Sequence, residues 1–588
     1  MTRRRAAPLA SLVLLGLSTS ALGAQIPLLS SSPIAMPTRT GPLIEVDVGR
    51  WNLSVGPSVD STSHLVFDTV ASLLQHWPNT RYRNGHNIIP GIVPVGTLMY
   101  HGRGTQEIPD KPDWVATDPE HSRLFCANFE PGPLKILYFD GSSAAKMQGG
   151  SMDTQDHVAW KATRPDWVHN ERKRIVDLCN WGKRYQLDGF YRMEMDFEIM
   201  LCDFQSGIQL ASSIQLNSEF NFPNRTGPGE IIAADIPRNP IPPPLRIGYQ
   251  VLQAGAWHNF YPGESRLKLD LTRLISFYDT DTFPSLVQAR SGVDRLQHRT
   301  SGISEKDVQV LHERLDEVLR DFGNPQDVHL AQGSASRSGV DWRTLYQVIV
   351  DRYADRLEML QYILNSTDPT AENYSQNHTQ TVDNAMYRLQ LMLTTYALRT
   401  ARPPTVDTGV DKGLSWASPV YQYCATTHTS ALYPFKSSFT KSEHLLLSAL
   451  EGTNREICRV LVRLWAEGKQ VGIDPGLPFQ PSDDDHGNSD NWLPMLNRWR
   501  DEVNGLMGWL GWSLWLKCRP VCGMEETCYL PTWPWFKTRP PAIKDPFEGD
   551  FGAAGHDMHD NEPDPDNEEW RNPLPRCIRH IEPFDWRF

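Results

Sequence analysis

Apolar and polar positions change their spacing along the chain, and each change marks a different kind of element. Ser63 to His76 carries apolar residues at helical intervals and predicts a first helix. Between about Asn84 and Thr282 short apolar runs alternate with turn residues. Thr97 to Tyr100, Leu134 to Phe139, Glu198 to Leu201, Leu245 to Val251 and Leu267 to Leu271 read as strands. One helix interrupts them, Pro165 to Tyr185, in which Trp167, Ile175, Leu178, Cys179 and Trp181 keep one face apolar. Beyond Thr300 the helical interval takes over. Glu305 to Phe322, opened by a capping-box-like Ser304 and Asp307, is followed by Asp341 to Leu364, Asp383 to Leu398, Ser442 to Ala466 and Met495 to Leu516.

The fold class that follows is α+β, with an N-terminal mixed β-sheet module, a helical C-terminal half and a Cys- and Trp-rich terminus. Residues 24–62 are rich in Pro, Ser and Thr and form an irregular leader. The α+β module runs over 63–300 and the helical domain over 301–517. At 518–588 come a Cys-rich knot and an acidic, Pro-rich tail that cannot bury enough apolar surface to fold alone. A chain of 588 residues is long enough for two or three cores.

The first 23 residues change the picture of where the protein works. Arg3, Arg4 and Arg5 precede the apolar Ala10 to Leu17 and the small residues Ala21 and Gly23, the pattern of a cleaved signal peptide, so the chain is expected to be secreted. No later run is long enough to span a membrane. Sequons at Asn52, Asn224, Asn365, Asn373 and Asn377 are candidate glycosylation sites, the last three crowded into one exposed segment. Of nine cysteines, Cys518, Cys522, Cys528 and Cys577 are candidates for a stapled terminus, with Cys577 tying the tail back, and Cys424 and Cys458 for another bridge. Cys179 and Cys202 sit in apolar surroundings as buried thiols or a disulfide. A net charge of −13 leaves no broad basic face, which argues against nucleic acid as a partner.

Candidate chemistry lies between Gly96 and Leu201. A strand ends in Tyr100-His101-Gly102; Trp114 to Ser122 then enters a short helix containing Phe125; Pro133 to Asp140 forms another strand; and Leu187-Asp-Gly-Phe190 precedes a strand at Glu198. This order resembles the diphtheria-toxin-type ADP-ribosyltransferase fold. The resemblance implies that His101 holds the ribose of NAD, Gly102 the nicotinamide amide, and Phe125 or Trp114 the nicotinamide ring. Glu198 would stabilise the oxocarbenium-like centre as nicotinamide leaves. NAD is then a substrate, and neither a cofactor nor a metal is required. Physically, a fixed carboxylate beside a sugar that gains positive charge does electrostatic work, and a glycine admits a flat ring close to the backbone. The helix Pro165 to Tyr185 is a departure, because the resembling sheet does not need it. The whole chain also resembles a group of secreted fungal proteins with no established activity.

Other chemistries fit less well. Glu194 and Glu198 on one strand would stand ~13 Å apart, beyond the span of a glycosidase pair. Asp483-Asp-Asp-His486 and His556-Asp-Met-His-Asp560 lack the spacing of a calcium loop or a zinc helix. Neither a nucleophile elbow nor a phosphate loop is present. Two expectations remain, a secreted NAD glycohydrolase or ADP-ribosyltransferase, and a non-catalytic secreted interaction or cell-surface protein on a degenerate transferase-like fold, whose protein partner is unknown and whose contact region is the Trp-rich knot and acidic tail.

Overall fold

A proline and a glycine in the middle of Asn87-Ile-Ile-Pro-Gly-Ile-Val93 disguise a seven-residue strand near one end of the sheet. The structure, a computed structural model, describes residues 49–82, 86–102, 107–123, 128–131, 134–142, 171–193, 196–213, 251–300, 302–320, 322, 338–404, 413–473, 492–531 and 572–581. Val48–Phe588 forms one compact unit. The expected first helix is two, α1 (Ser63–Ala71) and α2 (His76–Arg81), because Leu74 takes φ +62° between them. Its carbonyl accepts from Glu264 N at 2.6 Å, which holds the break.

The sheet is built from β1 (Asn87–Val93), β2 (Met99–Tyr100) and β3 (Asp113–Ala116), then, after the short α3 (Pro119–Arg123), β4 (Asn128–Pro131) and β5 (Leu134–Ser142). Helix α4 (Glu171–Gly182) leads to β6 (Gly189–Met193), β7 (Phe197–Leu201), β8 (Ile208–Ser212), β9 (Lys268–Leu269) and β10 (Ile275–Ser276). The spatial order is β10-β1-β5-β6-β7-β3-β2-β4-β8, with β9 also on β1. All pairs are antiparallel except β5 with β6. A parallel pair needs a crossover connection, and α4 lies in the one between β5 and β6. The expected strand Leu245 to Val251 lies outside the described residues except for Val251.

Pro90 survives inside β1 because β10 pairs with Asn87 and Ile88 while β9 pairs with Gly91 and Ile92. Pro90 O accepts from Asp270 N between these ladders, so its missing N–H faces the gap rather than a partner strand.

Strands β6 and β7 are buried along their whole length. One face packs Phe190 and Met200 against Ile175 and Leu178 of α4 and against Val308, Leu311 and Leu315 of the later helix 305–319. On the other face Tyr191 stacks on Phe197. The bridge Cys179–Cys202 ties α4 to the end of β7.

The helical half follows its periodicity. After α5 (Ser285–Arg290) come α6 (Glu305–Leu319), α7 (Trp342–Asn365), α8 (His378–Leu393), α9 (Ser418–Thr426), α10 (Lys441–Gln470) and α11 (Leu493–Leu510). Ser304 caps Asp307 N, but the Asp307 carboxylate turns to Ser285 N and Oγ, so only half of a capping box forms there. The reciprocal box is at Thr440 and Glu443. Helix α8 begins five residues before the expected Asp383, since Asn377 accepts from Gln380 N as its cap. Helix α10 packs against α1, α8, α9 and α11, and Cys424–Cys458 joins α9 to it. At the terminus, β11 (Glu526–Tyr529) pairs with β12 (Arg576–Arg579), and Cys518–Cys528 and Cys522–Cys577 close the knot. No described helix is long and apolar enough to cross a membrane. The expected signal peptide, residues 24–48 of the leader, the sequon at Asn224, Phe125 and the ninth cysteine, Cys126, lie outside the described residues.

Candidate functional site

The register aligns Tyr100, Ala116 and Glu198 in one row across β2, β3 and β7, and Arg192 joins that row from β6. Side chains on one row of a sheet share a face, and Glu198 and Arg192 use this to meet. Arg192 Nε donates to Glu198 Oε1 at 2.7 Å, and His121 Nε2 from α3 stands 3.6 Å from Oε2. Burial pushes the Glu198 carboxyl up, but the Arg192 charge and His121 outweigh it and hold the group below the usual carboxylate range.

His101 follows β2 directly. Its Nδ1 donates to Trp114 O at 2.7 Å and its ring packs near Phe204. His101 and Gly102 are buried, and Glu198 is 6% exposed. Trp114 is half-buried and packs against the apolar cluster that includes Phe190 and Met200. Among the candidate glycosylation sites, Asn52 and Asn377 are exposed, while Asn365 is half-buried at the end of α7 with its Oδ1 accepting from Asn504 Nδ2. Asn373 Nδ2 donates to Tyr362 O.

A second polar group, which sequence reasoning missed, gathers around His258. This residue sits on the 3-10 turn Gly255–His258, and its ring meets Phe197 edge-on at 5.3 Å. Its Nε2 is 2.8 Å from Asp118 Oδ2, 3.6 Å from Glu264 Oε2 and 4.0 Å from Asp196 Oδ1. Arg266 donates from Nε to Glu264 Oε1 and from Nη2 to both Asp118 oxygens and Glu264 Oε2. Burial, with repulsion from Asp118, raises the Asp196 carboxyl to about 6 against the pull of His258. At Asp118 burial pushes the same way but the His258 hydrogen bond and the Arg266 charge win, and its carboxyl is held low. Asp118 stands within the Trp114 to Ser122 segment, but nothing local in the sequence joins it to a histidine 140 positions away.

Residues 58–131 and 133–233 match the YPL277C N-terminal domain. The chain is also 23% identical over 555 residues to the uncharacterized protein YOR389W of Saccharomyces cerevisiae, covering 80% of this chain and 81% of that one. To the uncharacterized YPL277C of the same yeast it is 24% identical over 401 residues, 54% of this chain and 78% of that one. No solved structure matches the chain. The expected likeness to fungal proteins without an assigned activity agrees with these matches, and none of them points to an ADP-ribosyltransferase.

Proposed function

We propose that the protein is a secreted glycoprotein that cleaves the nicotinamide–ribose bond of NAD, with water as the simplest acceptor. The observation that carries the reading is the state of Glu198, an ionised carboxylate fixed by Arg192 on the row next to the strand end that bears His101. As the C1′–N bond breaks, ribose gains positive charge, and a carboxylate oriented beforehand stabilises it without reorganising. His101, held by its Nδ1 bond to Trp114 O, would position a ribose hydroxyl. Gly102 would admit the nicotinamide amide, and Phe125 or Trp114 its ring. Four disulfides among the described residues favour an oxidising compartment, in keeping with export.

A second reading is favoured by burial. His101 is 4% and Glu198 6% exposed, and Arg192 already neutralises Glu198, an arrangement that serves a non-catalytic secreted interaction protein equally well. Nicotinamide release from NAD by the purified full-length protein separates the two. The enzyme reading expects turnover that falls on the order of 100-fold in Glu198→Gln. No release by the unaltered protein hands the case to the interaction reading, and equal rates remove Glu198 from the chemistry.

A further inference from the structure

We propose that Asp118, Asp196 and His258, with Glu264 beside them, bind one divalent transition-metal ion of the Zn²⁺ or Mn²⁺ type. One donor atom from each of the first three residues lies within 4.8 Å of the others. Ligands around an ion at ~2.0–2.2 Å stand roughly 3 to 4 Å apart, so small side-chain adjustments close the shell.

Charge balance points the same way. Three carboxylates converge on one imidazole nitrogen, and all four side chains are buried, with His258 and Glu264 at 0%, Asp196 at 1% and Asp118 at 7% exposure. Arg266 answers Asp118 and Glu264. Asp196 Oδ1 takes the Phe197 N–H at 2.8 Å, while its Oδ2 is buried with no hydrogen-bond partner among the described residues. A buried carboxylate oxygen left in that state is costly, and a cation between Asp196 and His258 supplies what it lacks.

The site is also built to stay in place. Arg266 hydrogen-bonds both oxygens of Asp118 and Oε2 of Glu264, and so fixes the two carboxylates that face His258, as charged neighbours orient metal ligands. At Gly255 a Cβ would stand 3.1 Å from Asp196 Oδ2, so the absence of a side chain lets the turn carrying His258 lie against that carboxylate. A donor set of one imidazole and two or three carboxylates suits Zn²⁺ or Mn²⁺ better than Ca²⁺, which takes six to eight oxygens, or Cu⁺, which prefers sulfur. The cluster packs on Phe197, whose side chain alternates with that of Glu198 across the strand, so the inference stands apart from the NAD reading.

The test uses full-length protein stripped with a chelator, reloaded with Zn²⁺ or Mn²⁺ alone and passed through gel filtration, with metal content and melting temperature measured. About one retained equivalent is expected, with a rise in melting temperature; Asp196→Asn and His258→Gln should each weaken binding at least ~10-fold and abolish that rise. Asp196→Asn keeps the shape of the site and removes its unanswered charge, so it folds and decides the matter if His258→Gln does not. The runs Asp483 to His486 and His556 to Asp560 stay intact in both variants. Undiminished uptake in Asp196→Asn assigns the metal to those runs and overturns the proposal, as does retention below about a tenth of an equivalent of either ion by the unaltered protein.

Discussion

Replacing Glu198 by leucine tests whether its pairing with Arg192 is a structural commitment. The Arg192 Nε to Oε1 distance is 2.7 Å, and the two side chains are 5% and 8% exposed. At an effective dielectric of about 20 that contact is worth roughly 6 kcal/mol of attraction. Desolvating each ion costs several kcal/mol, so the pair as a whole stabilises little. Removing one member is different, because the buried guanidinium keeps its desolvation cost and loses the carboxylate opposite it. Glu198→Leu should therefore destabilise by about 3–5 kcal/mol, and Arg192→Met by a similar amount. The double variant should be less destabilised than the sum of the singles, by a coupling energy of about 3 kcal/mol. Urea unfolding followed by tryptophan fluorescence across the four proteins completes the cycle. Single losses below about 1 kcal/mol, or a double variant as unstable as the sum of the singles, would refute the argument. The folded double variant also isolates chemistry from stability, since the NAD reading expects it to release no nicotinamide.

Two further outcomes follow from the backbone and from buried imidazoles. Gly263 has φ +67°, and a Cβ there would fall 1.9 Å from Leu74 O, the carbonyl that receives Glu264 N, so Gly263→Ala should cost more than ~2 kcal/mol in thermal unfolding. A loss within about 0.5 kcal/mol would show that the turn relaxes freely. Burial, reinforced by Arg295 and His298, lowers the His64 pKa to about 3; at His298 burial and Arg290 lower it to about 4. Both folded values lie below the unfolded one of 6.5, so the unfolded chain binds more protons between them. Stability is complete above pH ~6.5 and falls with pH toward the folded values, by up to roughly 4 to 5 kcal/mol for His64. His64→Phe, which keeps the stack on Trp509, should flatten the stability curve between pH 6.5 and 3, whereas an unchanged slope would rule His64 out.

The amino-acid sequence determined by itself whatever depends on neighbours a few positions apart. Helices α7, α10 and α11 were legible because a 3.6-residue interval places one apolar stripe on a core, and β5 and β7 because short apolar runs between turn residues favour strands. The clustered cysteines announced a stapled terminus but not that Cys518 pairs with Cys528 and Cys522 with Cys577, since pairing depends on where loops bring the chain. Strand β1 escaped notice because Pro90 is acceptable only in a gap between two edge partners, and those partners lie nearly two hundred residues away. The same limit governs the site. His101 and Glu198 could be proposed from their places at strand ends, but Arg192 became the partner of Glu198 only through the antiparallel register of β6 and β7. Asp118, Asp196 and the pair His258 and Glu264 come from three separate connections, and none of the three announces the others along the chain. Only the folded sheet converges their charges, because the burial that makes such a cluster costly is itself a product of tertiary packing.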